Sequence, residues 1–586
     1  MNILGFNCYG HDSAAALIMN DEVVFAVEEE RLNRKKHDGS IPVMGIAECL
    51  KYGNLKLSDI DHVTFFWKPS ISYSKIPVFM MKYWDKIPQL LAEQRTFTVE
   101  ENLGMLNYLG DMRKLPQTLE RLFPESKKPK FKFHLLEHHL CHAASSFFST
   151  EYDDAAIFTV DGAGEWTTCM LAHGRGNKIN KLSTVETPHS IGAFYQAVSR
   201  HLGFKLISGP GKLMGLASYG NPDTPEYELM KKLVTFTPDG GFRLDMNYFC
   251  YHYTRKTGVT KKFENLFGPS KTEGKDWSEH ELNVAAAAQH IIEDFFLHAA
   301  AYLKKKTNSE NLCMAGGVAL NSVANGLIAK SGLFKNIFIQ PAAGDSGTTI
   351  GSALYLNHAI LNRKRKFVMK TAFLGPSYNT SEYETALKKH TLPYQKTERN
   401  YEFAAKKLAE GKILGWFQGK LEFGPRALGN RSIIASPTIE KMKDTLNARV
   451  KFREGFRPFA AIVLEEDCGL YFDSDFPNPF MLMVYNVKPE MLGKLPGITH
   501  VDNSVRIQTV NKEENPEMHA LLTAFKKETG YSVLINTSFN IKGEPIVCTP
   551  FDAIDSFERA DMDYLVIGDY VVAKPGDEKS LEALKA

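Results

Sequence analysis

The chain has 586 residues, more than one hydrophobic core usually serves, so we expect at least two domains. Its 70 basic and 68 acidic side chains give a formal net charge of +2, which provides no overall attraction toward nucleic acids or anionic membranes. The eight cysteines are scattered without a CxxC pair, which argues against a disulfide framework or a zinc ribbon and favours a reducing, cytoplasmic compartment. No apolar run approaches the roughly 20 residues of a membrane helix.

The N-terminal segment predicts a strand, a polar turn and a hairpin. NILGFN is the first strand, CYGHDS is the turn, and AAALIM and EVVFAVEEE are two strands joined at Asn20-Asp21. This reading makes the segment a strand and turn and not a signal peptide. The stretch AAIFTVDGAGEWTTCMLA repeats the design of strand, small-residue turn and strand. The repetition predicts two related halves around one cleft.

The middle of the chain predicts strands that are each followed by a turn and a helix. SEHELNVAAAAQHIIEDFFLHAAAYLK, residues 278 to 304, has a serine cap and helical spacing of its apolar residues. NLCMAGGVALN and KNIFIQPAAGDSGTTIGSALY then each read as a strand, a turn and the start of a helix. The predicted class is therefore α/β, with ligands at the carboxyl ends of the strands. A charge run and a turn-rich stretch place the domain boundary near residue 370.

The stretch EHHLCHAASSFF, residues 137 to 148, carries two histidines at the spacing of one helical turn, His138 and His142. Such a pair can share a metal ion, although histidines that merely hydrogen-bond locally are the commoner explanation of a bare HxxxH. Asp161 and Asp345 each stand in a turn after a predicted strand. Aspartate is also common in ordinary turns. Two imidazoles and two carboxylates together favour a divalent first-row metal ion with positions left for water or substrate.

The C-terminal part places basic side chains within apolar or turn-forming motifs. Arg426 and Arg431 lie in GKLEFGPRALGNRSIIASP, and others follow in VKFREGFRPFA and SVRIQTV. For any single arginine, an internal carboxylate explains this placement equally well. Several of them beside the hydroxyl-rich LINTSFNIKGEPIV favour a phosphate-bearing substrate, because the arginine fork matches phosphate oxygens.

These motifs together resemble the NodU/CmcH family of O-carbamoyltransferases over essentially the whole chain. The residues that carry the resemblance are LGFNCYGHDSAAAL with EEERLNRKKH, EHHLCHAASSFF, TVDGAGEW, GPGKLMGLASYG, GGVALN, GDSGTTIGSAL, EFGPRALGNRS, REGFRPFA and INTSFNIKGEPIV. The resemblance implies an actin-like ATPase fold (Kae1-like, ASKHA) over residues 1–370. It implies a YrdC-like α/β domain over residues 371–586.

The resemblance also implies a two-step reaction. The YrdC-like domain would form carbamoyl adenylate from carbamoyl phosphate and ATP with Mg²⁺, and the Kae1-like domain would transfer the carbamoyl group to a hydroxyl of a small-molecule natural product. The expected cofactor is Fe(II), with other divalent ions also compatible with these ligands. The expected partners exclude nucleic acid and membrane, and a homodimer is compatible with the sequence.

The resemblance assigns roles to residues of this chain. The implied metal ligands are His138, His142, Asp161 and Asp345. The implied adenylate contacts are Lys212, Gly316, Gly317 and Asn321. The implied carbamoyl phosphate and ATP pocket contains Arg426, Arg431, Lys451, Arg457, Arg506, Asn536, Thr537 and Ser538. His11 and Asp12 lie in the first turn, where His11 could accept the proton of the acceptor hydroxyl.

Two other functions remain open on the sequence. One is a tRNA-modifying threonylcarbamoyl transferase, against which the near-neutral charge argues. The other is a non-enzymatic, actin-like nucleotide-binding regulator, against which the C-terminal arginines argue. The acceptor is not indicated by any motif, and residues 67–125 and 221–278 are predicted insertions that would face it.

Overall fold

The structure is a computed structural model, and it describes residues 1–88, 109–124, 130–254, 257–274, 276–474 and 476–584. The chain forms two compact units. The first comprises residues 1–29 and 37–369, and the second comprises residues 30–36 and 370–586. Within the described ranges, no helix has the length and apolar character needed to cross a membrane. The predicted insertions 67–125 and 221–278 lie partly outside these ranges.

The first unit contains two five-stranded sheets of the same design. The first has the order β3-β2-β1-β4-β5, and the second has the order β12-β11-β6-β7-β8. In each sheet, three strands form an antiparallel meander. A fourth strand pairs in parallel with the first strand of that meander, and a fifth strand pairs in parallel with the fourth. The predicted internal repeat is therefore confirmed at the level of strand order. The strands are β1 Asn2–Asn7, β2 Ala14–Met19, β3 Glu22–Glu28, β4 His62–Phe65, β5 Lys132–Leu135, β6 Asp154–Val160, β7 Thr167–Arg175, β8 Lys178–Glu186, β11 Asn311–Ala315 and β12 Asn336–Ile339.

A short hairpin, β9 Val234–Phe236 with β10 Phe242–Leu244, and a set of helices complete the first unit. The α-helices are Val43–Gly53, Pro69–Lys82, Leu109–Met112, Leu115–Leu122, His138–Phe147, Ile191–His201, Gly209–Ala217, Pro225–Lys231, Lys261–Phe267, Glu279–Thr307, Ser322–Lys330 and Thr348–Leu354. Short 3₁₀ segments are Leu57–Asp59, Trp84–Lys86, Gly317–Leu320 and Asp345–Gly347, and Tyr355–Ile360 is a π-helix.

The long helix of this unit begins where the sequence predicts it. Ser278 caps Glu279–Thr307 through a capping box with Glu281, and Asn308 ends it in a left-handed conformation. The face with Phe295 and Phe296 is fully buried, and both rings pack against Phe158 of β6. This packing anchors the strand that ends at the predicted metal ligand Asp161.

The second unit is built on a nine-stranded mixed sheet of order β13-β21-β20-β14-β15-β19-β16-β18-β17. Its strands are β13 Tyr394–Lys396, β14 Leu414–Phe417, β15 Arg431–Ala435, β16 Ala460–Leu464, β17 Met483–Asn486, β18 Ser504–Val510, β19 Val533–Ser538, β20 Tyr564–Ile567 and β21 Tyr570–Ala573. Trp416, Ile434, Ile462 and Leu534 contribute to a buried core on one face of the sheet, which the helices Asn400–Ala409 and Pro516–Thr529 cover. Together with the first unit, this confirms the α/β class.

The remaining helices of the second unit are short. They are Thr380–Lys389, Met442–Leu446, Cys468–Tyr471, Pro550–Arg559 and Lys579–Glu582, with a π-helix at Asn447–Lys451 and 3₁₀ turns at Glu465–Asp467 and Pro489–Met491. The short helix Glu29–Asn33 contains the first four residues of the 30–36 segment. All eight cysteines are unpaired and buried, as the absence of a disulfide framework from the sequence predicts.

Candidate metal centre and phosphate site

Three elements of the first unit bring the four predicted metal ligands together. His138 and His142 lie on the helix His138–Phe147, Asp161 directly follows β6, and Asp345 begins a 3₁₀ turn that follows β12. β6 and β12 both run parallel to β11 in one sheet, so the two aspartates leave the same edge. Ligand sites in α/β sheets are found at this carboxyl edge.

The four side chains converge on one point. The Nε2 atoms of His138 and His142 are 3.1 Å apart, and Oδ2 of Asp161 lies 2.9 Å from Nε2 of His142 and 3.5 Å from Nε2 of His138. Oδ1 of Asp345 lies 3.7 and 3.8 Å from the same two nitrogens. One donor atom from each residue lies within 4.8 Å of all the others. This arrangement brings together four potential ligand atoms from separate elements.

The charges of this cluster favour a bound cation. Burial lowers the pKa of His138, but the carboxylates of Asp161 and Asp345 outweigh burial and raise it. Burial and the Asp161 charge raise the pKa of Asp345, which shows that two carboxylates crowd this buried position. Two imidazoles and two carboxylates that share one space fit a divalent ion such as iron, manganese or zinc. The Nδ1 atoms of both histidines have no hydrogen-bond partner among the described residues.

The glycine pair and its neighbours pack against this centre. Gly316 follows β11 with φ at +95°, and a Cβ there would lie 2.2 Å from the Val160 carbonyl oxygen, so only glycine fits. A Cβ on Gly317 would lie 3.2 Å from Oδ1 of Asp161. Asn321 caps the helix Ser322–Lys330 and exchanges two hydrogen bonds with Gln289. Its amide is therefore engaged within the fold.

Lys212 lies on the helix Gly209–Ala217, with its Nζ 5.9 Å from the ring centroid of Phe204. The same helix reaches the GGVALN region, since Sδ of Met214 accepts a hydrogen bond from Ser322 at 3.8 Å. The predicted adenylate residues of this unit therefore lie on adjacent elements. Their contact with a nucleotide stays a prediction.

His11 and Asp12 occupy the turn after β1. Nδ1 of His11 is 2.7 Å from one carboxylate oxygen of Asp12, and Nδ1 of His37 is 2.8 Å from the other. Burial lowers the pKa of His11, but the Asp12 carboxylate and the more distant Asp345 and Asp161 outweigh it and raise that pKa to about 10. With these charges uncompensated, His11 is protonated at neutral pH.

Glu165 is a buried residue of the same site to which the sequence interpretation gave no role. Its carboxylate accepts the main-chain N–H of His138 at 3.1 and 3.2 Å and that of Lys68 at 2.7 Å. Burial raises the pKa of Glu165 to about 7. The ring of Trp67 packs edge-on against His138, with 5.4 Å between centroids. The GEW of TVDGAGEW was the available signal, since a glutamate there shortly precedes the buried residues 168–174 of β7.

The second unit contains a cluster of basic side chains that repel one another. Burial and neighbouring guanidinium groups lower the pKa of Arg426 to about 10 and that of Arg453 to about 9, and they also lower the pKa of Arg506. Arg457 contributes to each of these shifts. The Nε atoms of Arg426 and Arg506 are buried and have no hydrogen-bond partner among the residues that the structure describes. Among the described residues, a single salt bridge reaches this cluster, from Glu454 to Arg457 at 3.8 Å.

Lys451 is buried at the side of this cluster and is held by the loop after β19. Its Nζ donates to the carbonyl oxygen of Ser538 and to the carbonyl and side-chain oxygens of Asn540, the last two at 3.1 and 3.0 Å. Burial, Arg453 and Arg457 lower the pKa of Lys451. The structure thus brings Arg426, Lys451, Arg457, Arg506 and Ser538 into one region, together with Arg453 and Asn540, which had no assigned role.

The other predicted pocket residues are engaged in the fold. Asn536 is buried and donates to the Ala427 carbonyl and to the Gln508 side chain, while Thr537 lies beside it in β19. Arg431 is fully buried, stacks on Phe417 at 3.7 Å, and donates to four main-chain carbonyl oxygens, those of Gln418, Asn430, Gly419 and Pro376. Its guanidinium therefore supports the loop, although its Nε, like that of Arg426, has no hydrogen-bond partner within the described part of the chain.

Comparison with known families accounts for both units. Residues 2–354 match the model described as carbamoyltransferase N-terminus, and residues 405–574 match the one described as carbamoyltransferase C-terminus. The chain belongs to the carbamoyltransferase family. The NodU/CmcH resemblance noted from the motifs is confirmed, and this carbamoyltransferase is an enzyme by family.

Its relatives span most of the chain. It is 33% identical to nodulation protein NolNO of Sinorhizobium fredii, covering 97% of this carbamoyltransferase and 80% of that protein. It is 31% identical to the 3'-hydroxymethylcephem-O-carbamoyltransferase of Streptomyces clavuligerus, covering 65% and 73% respectively. The crystal structure of T. kodakarensis HypF aligns with 62% of this chain and 47% of that one, at 12% identity and a TM-score of 0.31, too weak a likeness to support a statement on fold.

Proposed function

We propose that this carbamoyltransferase forms carbamoyl adenylate in its second unit and transfers the carbamoyl group, in its first unit, to a hydroxyl of a small-molecule natural product. The observation that carries the proposal is the basic cluster of Arg426, Arg453, Arg457 and Arg506, which has one acidic partner among the described residues. Such crowding of guanidinium groups is unfavourable unless an anion is bound. One relative is a 3'-hydroxymethylcephem-O-carbamoyltransferase, which supports a hydroxyl acceptor.

The first step joins a carbamoyl group to AMP. Water cleaves carbamoyl phosphate to carbamate and phosphate, and a carbamate oxygen then attacks the α-phosphorus of ATP, from which pyrophosphate leaves. Each arginine can bind two phosphate oxygens with its guanidinium group. The arginines thereby stabilise the negative charge that accumulates on the leaving groups. Lys451, fixed by Ser538 and Asn540, adds a further positive charge at a defined position.

The second step transfers the carbamoyl group. The acceptor oxygen bonds to the carbamoyl carbon, the bond from that carbon to the adenylate oxygen breaks, AMP leaves, and the acceptor proton passes to a base. His138, His142, Asp161 and Asp345 would hold the divalent cation, which supplies Lewis-acid polarisation of a carbonyl or phosphate oxygen. The resemblance favours Fe(II) with this ligand set, and ATP is proposed to enter with Mg²⁺.

His11 is the proposed base for the acceptor proton. Its pKa of about 10 reflects the carboxylates of Asp12, Asp345 and Asp161. A cation held by Asp345 and Asp161 would compensate their two negative charges. The pKa of His11 would then fall toward the range in which an imidazole takes up a proton. Asp12 then holds the imidazole through Nδ1 and leaves Nε2 to act.

The finer fold assignment belongs to this proposal. The repeated strand order of the two sheets in the first unit supports an actin-like, Kae1-like ATPase fold. The basic cluster supports a YrdC-like role for the second unit. On this proposal, the transfer step belongs to residues 1–370 and adenylate formation to residues 371–586.

The test is to incubate the purified full-length protein with ATP and carbamoyl phosphate under anaerobic conditions with iron supplied. We expect release of pyrophosphate that depends on both substrates. Without such release, neither half of the scheme stands. A tRNA-modifying function would instead appear as tight, salt-sensitive tRNA binding, and a nucleotide-binding regulator would bind ATP without producing pyrophosphate.

A further inference from the structure

A row of aromatic rings leads away from the loop that carries Asp161. The ring centroids of Trp166 and Phe79 are 6.2 Å apart, those of Phe79 and Tyr83 are 4.8 Å apart, and those of Tyr83 and His252 are 4.7 Å apart. Tyr253 continues the row, with its centroid 4.7 Å from that of His252. We call these five residues the aromatic row. All of them belong to the first unit and are partly exposed.

The aromatic row is fixed to the metal-site loop. Trp166 lies five positions after Asp161, and its carbonyl oxygen accepts the N–H of Thr187 at 2.8 Å. Ser190, three positions further on, donates its hydroxyl to the Gly162 carbonyl at 2.7 Å. The inner end of the row is therefore held beside the residues proposed for carbamoyl transfer.

Positive charge follows the same row. The Nζ atoms of Lys75, Lys82 and Lys86 lie 5.5 to 5.9 Å from the ring centroids of Trp166, Tyr83 and Tyr253 respectively. Lys75 and Lys86 also pair with acids, Glu186 and Asp85. Lys82 has no salt bridge within the part of the chain that the structure describes, and its side chain is exposed. At least one strong positive charge is thus left for a ligand.

His252 provides a polar group within the row. Its Nδ1 is buried and has no hydrogen-bond partner among the described residues. Burial, Lys82 and His189 lower the pKa of His252 to about 4, so its ring is neutral at physiological pH. A neutral imidazole can accept or donate a hydrogen bond to a hydroxyl group. Trp84, which follows Tyr83 in the sequence, is 73% exposed, so this part of the surface is accessible to solvent.

We propose that the aromatic row binds the acceptor, and that the acceptor is a ring-bearing alcohol with an anionic substituent. This inference rests on the proposed function, because it assigns the hydroxyl substrate of the transfer step. Flat rings stack on aromatic side chains, and the charge at Lys82 is complementary to a carboxylate or phosphate on the ligand.

The experiment compares three probes that differ in charge: phenyl β-D-glucoside, its glucuronide, and its 6-phosphate. Binding to the full-length protein is measured by calorimetry, and carbamoylation of each probe by mass spectrometry. We expect one or both anionic probes to bind about tenfold more tightly than the neutral glucoside, and the comparison between them identifies the preferred anion. Equal affinity for all three, or binding of none, overturns the inference.

Variants locate the binding. Lys82→Met should reduce the affinity for the preferred anionic probe about tenfold while leaving that for the glucoside unchanged, and His252→Phe should weaken all three. Lys305→Met, at an exposed lysine near the end of the helix Glu279–Thr307, is the matched control. Equal losses at Lys82 and Lys305 overturn the inference, as does salt-sensitive binding of tRNA that Lys82→Met abolishes.

The failure of this inference can be told apart from failure of the proposed function. Pyrophosphate release from ATP and carbamoyl phosphate needs no acceptor and is measured on the same protein samples. Release of pyrophosphate without any preference for anionic probes removes the acceptor assignment alone. Anionic preference without pyrophosphate release removes the proposed function and, with it, the description of the ligand as an acceptor.

Discussion

Glu165 holds the first turn of the histidine helix through His138, whose main-chain N–H it meets with both carboxylate oxygens, at 3.1 and 3.2 Å. The same carboxylate accepts the N–H of Lys68, the residue after Trp67, whose ring packs on His138. An acceptor for the free N–H groups at a helix N-terminus is favourable, and here the hydrogen bonds of Glu165 also link two segments that face one metal ligand. The orientation of His138 therefore depends on a residue that does not itself reach the proposed ion.

Glu165→Gln should weaken metal binding without abolishing it. The amide keeps an acceptor for one N–H but removes the charge, and loss of such a supporting contact costs about tenfold or more in metal affinity. Titration of the metal-free protein with Mn²⁺ measures the change. Glu137→Gln is the control, since Glu137 precedes the same helix but pairs with Lys181. Equal effects of the two substitutions would contradict the positioning role.

His138→Ala should separate the two half-reactions. It removes one of four donors from the proposed centre, so we expect carbamoyl transfer to fall by at least about a hundredfold. Pyrophosphate release from ATP and carbamoyl phosphate should remain near the wild-type rate. The bound metal per chain, measured by elemental analysis, should fall as well. An equal loss of pyrophosphate release would refute the assignment of the two half-reactions to separate units.

Arg457→Ala should have the opposite effect. Its removal takes one cation from the basic cluster, so adenylate formation should fall about a hundredfold while transfer from supplied carbamoyl adenylate continues. Arg449→Ala is the matched control, because Arg449 is a partly exposed arginine, close in sequence to Lys451, that is paired with Asp561. If Arg449→Ala slows pyrophosphate release as strongly, charge in general and not the cluster is responsible.

Metal removal should act on one step alone. Dialysis against a chelator is expected to abolish carbamoyl transfer and to leave pyrophosphate release intact when Mg²⁺ is added back. Readdition of Fe²⁺, Mn²⁺ or Zn²⁺ in separate anaerobic samples identifies the ions that restore transfer. Transfer that survives complete removal of metal, verified by elemental analysis, excludes a catalytic ion at these four residues.

Gly316→Ala should destabilise the first unit more than a glycine at an open position. Its φ is +95° and a Cβ would lie 2.2 Å from the Val160 carbonyl oxygen, so strain and a steric clash add, at about 2 kcal/mol or more. Gly332→Ala, with φ at +67° and nothing within 4 Å, should cost about 1 kcal/mol. Thermal unfolding compares the two. Equal decreases in melting temperature would show that the close contact with the Val160 carbonyl oxygen is relieved without a loss of stability.

Local sequence patterns were sufficient for the features that depend on spacing and strand ends. The one-turn separation of His138 and His142 and the positions of Asp161 and Asp345 after strands predicted side chains that the structure brings within 4.8 Å. The repeat of strand and turn predicted two related halves, and the two sheets of the first unit have matching strand orders. These features follow from periodicity, which a single sequence displays.

Contacts between distant segments were not predictable in this way. Arg426 and Arg431 stand five positions apart in one motif, yet only the second stacks on Phe417 and donates to four main-chain carbonyls. The role of Glu165 depends on a partner 27 positions away. Arg453 and Asn540 likewise acquire their roles from neighbours that the sequence separates, so side-chain type and spacing do not distinguish them.

The segment 30–36 has a consequence for the order of folding. It belongs to the second unit, where Arg31 donates to the Gly424 carbonyl and Arg34 donates to the carbonyls of Pro545 and Ile546. Arg34 and Ile546 are 512 positions apart. At a synthesis rate of about 5–20 residues per second, roughly 25 to 100 s pass before that partner emerges from the ribosome. The first unit must therefore fold with this segment looped out, or wait for the end of translation.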